Sequence, residues 1–191
     1  MFENKTEQEA KKQILDMVEA YCDTYHNQKK PFKEGDRIPY ASRVYDSSGM
    51  VNLVDSSLEF WLTSGRYTDE FEKELAGYLG VKYCSLGNSC ASGDLVSFMT
   101  LTSPLLGERR VKRGDEVITV AAGFPTTVTP LIQYGAVPVF VDVTIPQYNI
   151  DVTMLAEAYS EKTKAVLIAH TMGTPFEMAA VQAFSGRNHT W

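Results

Sequence analysis

Residues 114–142, GDEVITVAAGFPTTVTPLIQYGAVPVFVD, limit the possible folds more than any other stretch of this chain. A continuous apolar run (VITV) is followed by a loop with one aromatic, Phe124, then a helix-length segment at 126–134. A glycine turn and a second apolar run at 137–143 complete the unit. Runs that are apolar on both faces suit strands of a parallel sheet with helices on each side. Two parallel strands need a crossover, which 126–134 supplies. An aromatic at the end of such a strand is placed to cover a flat ring, and a polar loop opening a helix is placed to hold phosphate.

The rest of the chain repeats this pattern. Upstream, Thr68 is expected to cap a helix over 68–79, with Asp69 and Glu70 in its first turn and a stripe of Phe71, Leu75, Tyr78 and Leu79. Gly80 stops it, 81–86 reads as a short strand, and the polar loop GNSCASG opens a helix over 93–102 that buries Leu95, Phe98 and Met99. Downstream, Asp151 is expected to cap a helix carrying Met154, Leu155 and Tyr159. The run KAVLIA at 164–169 is a further strand, ending at His170, and a last helix runs from about 175 to 184. At the start of the chain, Ile14, Met17, Val18, Tyr21 and Tyr25 recur at spacings of three and four, the mark of an amphipathic helix. Pro31 and the KEGD turn end it, and 38–64 reads as an arm of mixed character. The expected class is α/β, a mostly parallel sheet with helices on both faces. Its loops at 87–92, 121–124 and 170–174 should face one crevice beyond the carboxyl ends of the strands.

Composition narrows the function classes. The net charge is −6 with no basic stripe, which argues against nucleic acid, and the RRVKR run at 109–113 reads as a solvated loop. The charged N-terminus lacks the apolar core of a secretory signal, and no apolar run is long enough for a membrane span, so a cytoplasmic protein is expected. Cys22, Cys84 and Cys90 show neither disulfide nor metal-knuckle spacing and read as reduced thiols, with Cys84 inert inside its strand. No GxGxxG follows the first strand, which disfavours a dinucleotide-binding dehydrogenase.

SGRYTDEFEKELAGYLG, GDEVITVAAGFPTTVTP, GAVPVFVDV, YNID and TKAVLIAHTMG follow one another in an order that resembles the sugar-modifying aminotransferase-like (DegT/DnrJ/EryC1/StrS) family, over about residues 38–181. The resemblance implies the fold-type-I architecture of pyridoxal-phosphate (PLP) enzymes. It implies a helix and linker at 1–37, an incomplete PLP-transferase-like large domain at 38–184, and a divergent tail at 185–191. Within the family, the long connector TLTSPLLGERRVKRGDE and the segment after it look closest to CDP-4-keto-6-deoxyglucose 3-dehydrase, which serves dideoxysugar and O-antigen biosynthesis. That resemblance implies pyridoxamine or pyridoxal 5'-phosphate as cofactor and a nucleotide-linked 4-keto-6-deoxyhexose as substrate. It also implies a homodimer and, in the full-length subgroup, a 2Fe-2S cluster fed by an electron-transfer reductase.

Carried residue by residue, the resemblance makes Cys90, Ala91 and Ser92 the cofactor-phosphate loop and Phe124 the aromatic that stacks on the cofactor ring. Cys90 stands where the family usually has glycine, and Ala91 where it usually has Thr or Ser. A plain helix N-cap is the alternative for the loop, and a core position the alternative for Phe124. Gly65, Arg66 and Tyr67 match an arm that approaches the sugar, although an exposed helix start also explains them. His170 is placed on the substrate side, with a hydrogen-bonded structural histidine as the alternative, and Asp142 reads as a turn or cap residue.

No catalytic residue and no metal ligand is assigned. The family's pyridinium aspartate, its Lys or His at the reactive carbon and the cluster cysteines have no counterpart in these residues, so no turnover is expected from them alone. His189 and Trp191 read as a trailing end. Two other readings stay open: a nucleotide-sugar aminotransferase of the same family, and a non-catalytic fragment that binds a phosphate ligand or a partner.

Overall fold

The computed structural model describes residues 2–27, 31–38 and 44–191. Residues 39–43, where the expected arm begins, lie outside the described residues. The chain forms two units, Met1–Ser85 and Leu86–Trp191.

In the first unit the expected N-terminal helix is α1 (Glu7–Tyr25). Thr6 accepts the Glu9 N–H, and the Glu9 carboxylate accepts the Thr6 N–H at 2.8 Å, a reciprocal cap. The arm contains a helix that the sequence pattern did not announce, α2 (Ser47–Leu58), capped by Asp46 at the Gly49 N–H, 3.0 Å. Its sequence, SSGMVNLVDSSL, is poor in strong helix formers, so packing against α1 decides its conformation. Helix α3 (Arg66–Leu79) begins two residues before the expected cap. The Gly65 carbonyl accepts the Thr68 and Asp69 N–H groups, so Thr68 lies inside the first turn. Gly80 ends α3 in the left-handed region at φ 67°, as expected.

The second unit holds a parallel three-stranded sheet in the order β2-β1-β3, made of β1 (Glu116–Val120), β2 (Val137–Val141) and β3 (Thr163–Val166). Helices α4 (Cys90–Leu101) and α5 (Pro125–Tyr134) cover one face, where Phe98 and Leu131 pack with Val117 and Ala165. Helices α6 (Leu155–Ala158) and α7 (Met178–Asn188) cover the other, where Leu155, Val181 and Phe184 pack with Ile118, Val120 and Val141. Gly135 ends α5 at φ 92°, and a Cβ there would come within 3.0 Å of the Arg113 guanidinium. Asp151 caps the turn leading into α6 at the Thr153 N–H, and Asp142 accepts the Val143 N–H, the turn role expected of it.

Two expectations are corrected. Residues 81–86 are not a strand and join no sheet among the described residues; Val81, Tyr83 and Leu86 are exposed and Cys84 is only half-buried. An apolar run becomes a strand only where a partner ladder receives its N–H and C=O groups. Nor does the C-terminus trail. Helix α7 continues to Asn188, and the Trp191 N–H donates to the Lys164 carbonyl while its own carbonyl accepts the Val166 N–H, both at 2.9 Å, which adds a rung to the outer edge of β3. The indole N–H donates to the Arg109 carbonyl at 2.9 Å, and the Arg109 guanidinium lies 3.8 Å above the ring. Among the described residues no helix is long and apolar enough to cross a membrane.

Candidate functional site

The site begins where the chain direction divides. Strands β1 and β3 are parallel neighbours, so their carboxyl ends share one edge. After β1 the chain enters α5 on one face, and after β3 it leads to α7 on the other. Departure to opposite faces from adjacent strands opens a crevice between the two loops, the switch point where open α/β sheets hold ligands. Loop 121–124, carrying Phe124, and loop 167–177, carrying His170, form its sides.

Helices α4 and α5 both start at this edge. The Val111 N–H donates to the Leu101 carbonyl and the Gly114 N–H to the Gly135 carbonyl, both at 2.8 Å, which fixes their C-termini at the opposite edge. Ser89 is the N-cap of α4, and its hydroxyl accepts the Ser92 N–H at 3.2 Å and donates to the Ser92 Oγ at 3.2 Å. The first-turn amides of Cys90 and Ala91 have no acceptor within the helix, and the helix dipole makes this end attractive to an anion. A cavity of about 240 Å³ separates Ala91, Ser92 and Leu95 of α4 from Thr126, Thr129, Pro130 and Gln133 of α5. Phe124 is the N-cap of α5 and is 72% exposed, so its ring is not part of the core.

Gly65, Arg66 and Tyr67 belong to the other unit, and the Arg66 and Tyr67 side chains meet acidic groups there. Arg66 pairs with Glu59 through Nε and with Asp55 through Nη2 at 2.6 Å, and its guanidinium lies 4.2 Å above the Tyr67 ring. The Tyr67 hydroxyl donates to Asp55, which also takes the Lys11 ammonium. Hydrogen bonds from Lys11, Tyr67 and Arg66 hold the Asp55 carboxyl down at about 2. Partial burial, and then the bond to Asp55, push the Tyr67 phenol upward. The cluster ties α1, α2 and α3 together. A Cβ on Gly65 would come 3.0 Å from the Trp61 ring.

His170 is exposed and locally engaged: its Nδ1 accepts the Phe176 N–H at 3.2 Å, and its ring stacks on Phe176 with centroids 4.3 Å apart. Ser89 lay within the 88–92 segment matched to the phosphate loop, but its role as the cap of α4 was not assigned from sequence. Two further residues near the crevice were not singled out. Thr126 lies two positions past Phe124 and lines the cavity. Asn149, in YNID, gave no local sign of its long-range bonds to Thr171 and Thr174. Among the described residues no group of three or more His, Cys, Asp or Glu side chains could hold a metal ion.

A parallel sheet with helices on both faces and a crevice at its switch point is the layout of an open α/β domain. The chain belongs to the DegT/DnrJ/EryC1/StrS aminotransferase family, whose profile matches residues 46–190. It is 44% identical over 182 residues to the lipopolysaccharide biosynthesis protein RfbH of Salmonella typhimurium, covering 95% of this chain and 41% of that one. It is 41% identical to dTDP-4-dehydro-2,6-dideoxy-D-glucose 3-dehydratase of Saccharopolyspora spinosa, covering 88% of this chain and 36% of that one. The structure of GDP-4-keto-6-deoxy-D-mannose-3-dehydratase from E coli with bound hydrated PLP is 31% identical, with a TM-score of 0.68, covering 80% of this chain and 39% of that one. The chain spans about two-fifths of the length of the relatives it matches. The α/β sheet with helices on both faces, expected as part of a fold-type-I large domain, is the fold observed.

Proposed function

We propose that this chain supplies the phosphate- and ring-holding part of a PLP- or pyridoxamine-phosphate-dependent 3-dehydrase that acts on a nucleotide-linked 4-keto-6-deoxyhexose. The observation that carries the reading is the placement of the α4 amide end and the exposed Phe124 ring on one edge of the sheet, at its switch point. The donor set suits a phosphate monoester: two first-turn N–H groups, the hydroxyls of Ser89 and Ser92, and Thr126 across the cavity. Among the described residues no acidic side chain lines that cavity to repel an anion. Cys90 and Ala91 act through backbone N–H groups, so their departure from the family's usual Gly and Thr or Ser leaves the phosphate contact in place. Phe124 offers its face to a pyridine ring. When bound, the cofactor supplies an electron sink for proton removal at the carbon beside the ring. This chain's own residues anchor and orient it.

Dehydration rather than amino transfer is favoured by the 41% identity to the 3-dehydratase of Saccharopolyspora spinosa. Cytidine diphosphate is the nucleotide we assign, from the likeness of the 100–116 connector to the CDP-sugar subgroup. A homodimer, and a reductase partner for the whole enzyme, belong to the same reading, as does a substrate-side role for Gly65, Arg66 and Tyr67.

Calorimetric titration with pyridoxamine 5'-phosphate, and with pyridoxamine lacking the phosphate, tests the site. The phosphate form is expected to bind at least about tenfold more tightly, the equivalent of about one charge-assisted hydrogen bond. Phe124→Ala is expected to weaken it by about 0.5–1.5 kcal/mol, the worth of one aromatic stacking contact. Equal affinity for the two amines would defeat the assignment of the α4 end.

A further inference from the structure

The loop after β3 is shaped by one buried side chain from elsewhere in the unit. Asn149 is 6% exposed, and its amide is used from both ends: Oδ1 accepts the Thr171 N–H at 3.0 Å and Nδ2 donates to the Thr174 carbonyl at 2.9 Å. Asn149 follows β2, in the segment where Val143 bridges Ile150. Between its two anchor points the backbone passes through Met172 at φ 52° and Gly173 at φ 77°. A left-handed non-glycine residue persists only where its surroundings over-determine it, and such residues gather at ligand-facing loops. The loop is therefore held in a single shape at the edge where β1 and β3 part.

The same loop fixes the chemistry of His170. Its Nδ1 accepts the Phe176 N–H, and the stacked Phe176 ring prevents the imidazole from turning over. A ring nitrogen that accepts a hydrogen bond carries no proton, so the neutral imidazole has its N–H at Nε2. Among the described residues no hydrogen-bond partner for Nε2 is found. The group is thus a donor of fixed tautomer on an exposed side chain beside the crevice.

We propose that His170 donates through Nε2–H to an oxygen of a nucleotide-sugar ligand, and that Asn149 is the positioning residue that holds His170 there. The proposal rests on the nucleotide-sugar reading above and goes beyond it by giving His170 a donor role rather than that of a base. The acceptor is a diphosphate oxygen or a sugar oxygen. Cytidine 5'-diphosphate and CDP-glucose, used as separate probes, distinguish the two.

The test is calorimetric titration of the full chain and four variants with both probes, together with the 15N spectrum of the His170 ring. The spectrum is expected to show the proton on Nε2. His170→Asn keeps an oxygen near the Nδ1 position for the Phe176 amide but removes the outer donor. It is expected to melt with the unaltered chain and to bind about tenfold more weakly, the loss of one hydrogen bond. His170→Gln places an NH2 near the Nε2 position and is expected to restore most of that affinity. Asn149→Ala is expected to lose a similar factor while the Thr171 amide exchanges faster with solvent, and Asn149→Asp, which keeps only the acceptor, to fall between. A loss confined to CDP-glucose assigns the sugar, and a loss with both probes assigns the diphosphate. Unchanged affinity in His170→Asn, or a proton found on Nδ1, overturns the donor role alone. No binding of either probe by the unaltered chain removes the nucleotide-sugar reading and this role together.

Discussion

Replacing Phe98 by alanine is expected to destabilise the C-terminal unit by about 3–5 kcal/mol, the usual cost of deleting a fully buried aromatic. Phe98 is 0% exposed and is the largest of the fully buried side chains. It packs against Val117 and Leu131 and meets the Tyr134 ring edge-on, with centroids 5.8 Å apart. Leu95, Val96 and Met99 of α4 are exposed and Leu101 is only partly buried, so Phe98 is the main apolar anchor of this helix on the sheet. Domains are typically stable by about 5–15 kcal/mol, so the loss is a large share of the total. The same helix presents the amides proposed to hold phosphate, and affinity for pyridoxamine 5'-phosphate should fall with stability. Urea unfolding followed by Trp191 emission reads this unit, since the other tryptophan, Trp61, lies in the N-terminal unit. A change below about 1 kcal/mol would mean that α4 does not depend on this ring.

In the N-terminal unit the largest effect is expected at Asp55. Asp55→Ala leaves the Lys11 ammonium and the Arg66 guanidinium without their shared counter-charge and the Tyr67 hydroxyl without an acceptor. Hydrogen bonds to charged groups are worth about 1.5–3 kcal/mol, and solvent screening lowers the expected loss to about 1–2. That screening is substantial, because the Lys11 and Arg66 side chains are 29% and 45% exposed.

The pH dependence has a definite sign. The folded-state carboxyl sits at about 2, below the value of about 3.9 in an unfolded chain, so its contribution is complete above pH 4 and is lost as the pH falls toward 2. Acid titration of stability, followed by Trp61 emission, should show a steeper fall between pH 4 and 2 in the unaltered chain than in Asp55→Ala. Parallel curves would show that Asp55 is not the hub of this cluster.

The extent of α3 and its stop at Gly80, the crossover α5 and the strands β1 and β2 were legible as local periodicity, although Phe71, Tyr78 and Leu79 of the expected α3 stripe are exposed. Each is an amphipathic stripe, a short apolar run or a left-handed glycine within a window of about fifteen residues. The position of Phe124 in the loop between β1 and α5 was legible for the same reason, whereas the helix at Ser92 begins without the strand expected before it. Helix α2 was not, because its serines, glycine and valines favour no helix until α1 packs on them. Residues 81–86 failed in the opposite sense, a strand-like run that joins no ladder among the described residues.

Sequence by itself settled the elements whose free energy is local: caps, periodic stripes and turns that close within a few residues. Tertiary structure alone decided what depends on partners far along the chain. Trp191 reaches back to β3 and Arg109, Asn149 moulds the loop at 171–174, and the Phe176 amide selects the tautomer of His170. The reason is physical: a hydrogen bond between distant residues leaves no periodic trace in the sequence, and its donor and acceptor meet only once the sheet has brought them to the same edge.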